Sequence, residues 1–66
     1  MTAVDLGYYM PAHAIPAARL LIAEYKKFGV MQASTGSQHV ALRNMVAGGL
    51  VVASPGGFVA APGIEL

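Results

Sequence analysis

The residues able to do chemistry in this chain are few and scattered. His13 and His39 are the only imidazoles among 66 residues, and there is no cysteine. Neither histidine has a second ligand at helical i, i+4 spacing with a carboxylate to complete a set, so no metal centre is expected. Ser34, Ser37 and Ser54 stand without a base and an orienting acid in a recognisable motif, and the glycines lack the lysine arrangement of a phosphate-cradling loop. The expectation is a protein that is not an enzyme and takes no cofactor. What remains is recognition chemistry. Arg43 carries a guanidinium that can read guanine through two hydrogen bonds, and Asn44 beside it can pair similarly with adenine, each contact contributing about 1–3 kcal/mol when docked in a DNA groove. The alternatives are a surface or subunit-interface arginine and a polar residue near a helix end.

Reading groups of this kind need a rigid element beneath them, and the flanking sequence has the signals of one. Thr35-Gly-Ser-Gln38 matches the capping box, in which the threonine hydroxyl and the glutamine side chain satisfy each other's backbone amides at a helix start. Gly48-Gly49 is a helix stop. Between them Ala41, Leu42, Met45 and Gly49 fall on one side, expected to be buried, and His39, Val40, Arg43, Asn44 and Ala47 fall outward. The pattern predicts a helix at about 36–48. A second helix is expected at about 16–28, opened by Pro16 and stopped by Gly29, with Ala18, Leu21, Ile22, Tyr25 and Phe28 on its apolar face. Its other face carries Arg19, Lys26 and Lys27, with Glu24 one turn before Lys27. That face is either solvated or a phosphate-contacting surface.

The remaining segments read as connections and short strands. Val30 to Ser34 is a connector with apolar anchors at Val30 and Met31. Leu50 to Ala53 and Phe58 to Ala61 are β-prone runs separated by a Pro-Gly-Gly loop, which predicts a hairpin at about 50–61 that Pro62 closes. Residues 1–15 read as an N-terminal arm holding a short strand or turn, because Pro11 and Pro16 limit any helix between them to about one turn. Tyr8 and Tyr9 are expected to pack on the domain, 16–66, or on a neighbouring subunit.

Composition restricts how such a domain survives in water. It is 56% hydrophobic and only 11% charged, with a mean hydropathy of +0.59. A chain this short buries only about 60% of its unfolded surface, and neither disulfides nor a thiolate-bound zinc can brace it. A homo-oligomer or a larger protein assembly is therefore expected. The charge-free run from Asn44 to Ile64 is long enough for a bilayer, but its prolines and central glycines make membrane insertion an unfavoured reading. The start Met1-Thr-Ala-Val-Asp5 lacks a basic region ahead of its apolar stretch, so a cytoplasmic location is expected, or a virion for an assembly component. Net charge is +1, from Arg19, Lys26, Lys27 and Arg43 against Asp5, Glu24 and Glu65. That is too little to attract an anionic partner over distance, although all four cations fall between positions 19 and 43.

One stretch has a family likeness. Ala41-Leu42, Met45, Gly49-Leu50-Val51-Val52, Pro55-Gly56 and Gly57-Phe58-Val59-Ala60 resemble the helix-to-wing segment of GntR-type winged-helix DNA-binding domains. The resemblance implies an α+β fold in which the helix before Gly-Leu-Val enters the major groove and the hairpin touches backbone or minor groove. It thereby implies DNA as partner and a regulatory role in transcription or recombination. On these positions the DNA-contacting set would be Gln38, His39, Arg43 and Asn44 on the helix, and Ser54, Gly56 and Gly57 on the wing. Lys26 and Lys27 add phosphate contacts. The chain departs from the family where Gln38 replaces an apolar anchor and where the wing is short and lacks its arginine. Ser54 and the glycine amides are then the wing's only donors. The alternative function is a structural subunit, such as a virion component, whose apolar surface is buried against neighbouring chains.

Overall fold

A computed structural model describes residues 4–66. In chain order it holds α1 (Leu6–Tyr9), a 3-10 turn (Ala12–Ala14), α2 (Ile15–Phe28), α3 (Gly36–Ala47) and the antiparallel strands β1 (Val51–Ser54) and β2 (Gly57–Ala60). This is the expected α+β order, a small winged-helix-like arrangement of helices followed by a hairpin. The first three residues of the N-terminal arm lie outside the described residues.

The helix ends follow from local chemistry. Thr35 Oγ1 accepts the Gln38 amide at 3.2 Å and opens α3. At its other end Gly49 adopts φ +77, while Gly49 N–H donates to Val46 O and Leu50 N–H donates to Met45 O. That pair of bonds is the Schellman motif, and the two positions that carry its apolar contact, Met45 and Leu50, are both buried in the core. Gly29, at φ +81, closes α2 through a bond from its amide to Tyr25 O. Gly48 answers to a different demand. Its backbone is ordinary, yet a Cβ there would lie 2.5 Å from Tyr9 Cδ1, so α1 packs its half-buried tyrosine directly on the end of α3.

The core joins every element. Leu21 of α2, Met31 of the connector, Met45 of α3 and Val51 of β1 are its largest fully buried side chains. Leu6, Met10 and Ala14 of the N-terminal segment are buried in the same cluster. The strand or turn expected for that segment is instead a capped helical turn, Asp5 accepting the Gly7 amide, followed by a 3-10 turn running into α2. Burial of Leu6 and Met10 favours this conformation over solvated turns.

Two expectations about faces fail. Phe28, placed on the apolar side of α2, is 68% exposed; Gly29 ends the helix beside it, and its ring stands under the Lys27 ammonium at 5.2 Å. Gly49 is exposed rather than buried, because the αL turn lifts the chain off the helix axis. The connector also does more than join helices. Met31 pairs with Phe58 on the free edge of β2, donating to Phe58 O at 2.8 Å and accepting from Phe58 N at 3.0 Å. β2 thus has a neighbour on both sides near its start.

Candidate nucleic-acid interface

The outward side of α3 and the hairpin tip face a common groove. Gln38, Ala41, Leu42 and Met45 turn α3 toward the core, which leaves His39, Arg43, Val46 and Ala47 exposed on the opposite side. Ser54 and Gly57 are paired at the end of the ladder, so the turn consists of Pro55 and Gly56. Gly56 at φ +87 after a proline is a type II arrangement, open only to residues that tolerate positive φ. The tip is tied down by Gln32, whose Nε2 donates to Gly56 O across 24 residues of sequence.

Between these elements lies an open groove of about 770 Å³. Met31, Gln32 and Ala33 line one side, Gly56 to Phe58 another, and His39, Val40, Leu42, Arg43 and Val46 of α3 the third. Arg43 is the only permanently charged residue among them. It and His39 are one helical turn apart on the exposed face, free to present donors to an anionic ligand or to base edges.

The residues predicted from sequence are not all available. Gln38 is 7% exposed, and its Oε1 accepts both the amide and the hydroxyl of Ser34 at 2.8 Å. Its removal from the contact surface follows from the reach of its side chain, which passes Thr35 and satisfies the preceding residue instead. The reciprocal half of the capping box is therefore displaced by one position. Swinging Gln38 out to DNA would break two hydrogen bonds of about 1 kcal/mol each and open the core. Asn44 is half-buried, donates to Val40 O at 2.9 Å within its own helix, and does not line the groove.

On the wing, Gly57 is likewise withdrawn. A Cβ there would meet Met31 O at 2.3 Å and Val30 Cγ2 at 2.7 Å, so this glycine exists to let the connector approach β2. Gly56 is exposed at the tip, and Ser54 is half-buried at the end of β1. Lys26 and Lys27 are exposed in the last turn of α2, shortly before the Met31 bridge. His39, Arg43, Gly56, Lys26 and Lys27 therefore form the accessible part of the expected set, with Ser54 partly so.

Sequence reasoning missed Gln32, Val46 and Phe58 as parts of this surface. Nothing in the local pattern marks Gln32, because its partner is 24 positions away. Val46 was legible from the helix period alone: it lies three residues from Arg43, on the same exposed side. Among the described residues no group of three or more His, Cys, Asp or Glu side chains is arranged to hold a metal, and no helix is long and apolar enough to cross a membrane. Comparison with protein-family models, with curated proteins and with solved structures finds no match to this chain.

Proposed function

We propose that this chain is a small winged-helix DNA-binding protein, GntR-like in its helix-to-wing stretch, that acts as an oligomer to regulate transcription or a recombination step. The observation that carries this reading is the exposed face of α3, where Arg43 and His39 stand free beside a wing anchored by Gln32. Arg43 is the base-reading residue, His39 and the Gly56 tip are backbone contacts, and Lys26 and Lys27 approach phosphates from the end of α2. With so few cations per chain, two or more chains must act together to neutralise several phosphates. The exposed apolar side chains Tyr8, Leu20 and Phe28 offer surface for that association.

The same exposed residues favour one second reading, a structural subunit of a larger particle such as a virion. Tyr8 is 82% exposed and Leu20 59% exposed, more than a lone monomer gains from leaving in water. Fluorescence anisotropy with a labelled duplex across a salt series, with mass by light scattering on the same sample, separates the two. DNA binding predicts a log–log salt slope of about −0.9 per phosphate contact and at least tenfold weaker binding for Arg43→Ala. A large discrete assembly with no DNA binding at low salt rejects the first reading and supports the second.

A further inference from the structure

The DNA-binding reading explains Arg43 but not the walls around it. Contacts to bases and phosphates do not account for an apolar groove: Val46 is left 43% exposed, and Val40 opens onto the same space. Phe58, half-buried on β2, extends this apolar lining, and Arg43 is the single guanidinium along it. No acidic residue lines the groove. A volume near 770 Å³ falls within the range of small-molecule sites, which combine mostly apolar walls with a few placed polar groups.

We infer that the groove between α3 and the wing binds a compact apolar carboxylate, its hydrocarbon body against Val40, Val46 and Phe58 and its carboxylate on Arg43. Charge complementarity selects the anion: a carboxylate gains a charge-assisted contact with the exposed guanidinium that a neutral apolar molecule cannot make, and a cation would be repelled by it. His39, one turn from Arg43, supplies a further donor at the rim. The ligand occupies the face assigned to DNA, so it competes with duplex for Arg43; that consequence rests on the DNA-binding proposal, whereas the ligand site itself does not.

The test is a ¹H–¹⁵N NMR titration of the whole chain with sodium octanoate below its micelle-forming concentration, in parallel with 1-octanol, and without DNA. Saturable shifts at the amides of Met31, Val40, Val46 and Phe58 are expected. Arg43→Gln should weaken octanoate about tenfold, the loss of one charge-assisted contact, and bring it level with octanol. Val46→Glu, which sets a carboxylate in the wall, should abolish octanoate binding. Both positions are exposed, and the dispersion of each variant's spectrum reports that it is folded. Shifts that never saturate or that centre on Tyr8 and Leu20, octanol binding as tightly as octanoate, or an unchanged affinity in folded Arg43→Gln would each overturn the inference. Because the titration contains no DNA, its failure and a failure of DNA binding are read separately.

Discussion

Replacing Gly57 by alanine tests whether the connector and the wing form one unit. The added Cβ would lie 2.3 Å from Met31 O and 2.7 Å from Val30 Cγ2, at a backbone φ of +154. Relief requires Met31 to move off β2, which sacrifices its two hydrogen bonds with Phe58. These contribute about 1 kcal/mol each, and the disfavoured φ adds about 1–3 kcal/mol. The expected loss is thus about 3–5 kcal/mol, against a total of about 3–10 kcal/mol for a domain of this length. Gly56→Ala is the control. It has φ +87 but no atom within 4 Å of the added Cβ, so only the conformational cost of about 1–2 kcal/mol applies. Urea unfolding followed by far-ultraviolet circular dichroism reads the difference. With a slope of about 1 kcal/mol per molar, the two midpoints should separate by about 2 M. Equal midpoints would refute the reasoning, since they would mean that the Met31 bridge adds nothing to the hairpin.

Other substitutions probe separate contacts. Gly48→Ala should destabilise the chain by displacing the Tyr9 ring, yet be neutral or stabilising in a Tyr9→Ala background, where the right-handed backbone of this cap accepts alanine and the reduced freedom of the unfolded chain gains about 0.4–1 kcal/mol; the four thermal midpoints of the cycle measure the coupling. Gln38→Ala should cost about 1–2 kcal/mol of stability through the lost Ser34 bonds while leaving the DNA affinity of the folded fraction within about twofold of wild type, where Arg43→Ala loses at least about tenfold. Met45→Ala, at a side chain with no exposure, should cost about 2–5 kcal/mol, read by circular dichroism as a urea midpoint well below that of the unaltered chain.

The parts of this fold that were legible in sequence are those written in local chemistry. Thr35 as a cap, Gly29 and Gly49 as αL stops, and a turn within Pro55-Gly56-Gly57 each act within a few residues, so type and spacing sufficed, although Gly57 pairs with Ser54 inside the ladder and shortens the turn to two residues. Phe28 was misplaced because the helix period continues through the last residue while the core beneath it does not. Met31 was legible as an apolar anchor, but a single bridging residue has no alternation from which a strand can be inferred. Gln38 and Asn44 show the limit for the site. Their amides suit base edges, and only the three-dimensional arrangement reveals that Ser34 and the Val40 carbonyl already hold them. The exposure of Arg43 was legible because outward position on a helix follows from period alone.

The central claim is that α3 meets DNA with the face that carries His39 and Arg43. Chemical-shift mapping of the ¹⁵N-labelled chain with a short duplex at low salt tests it most directly. The account predicts shifts at the amides of His39, Arg43, Val46 and Ala47, at the Gly56 tip and at Lys26 and Lys27, reversed by added salt, with Tyr8 of α1 unmoved. Absence of any shift at low salt, or shifts confined to the surface around Tyr8 and Leu20, would contradict it.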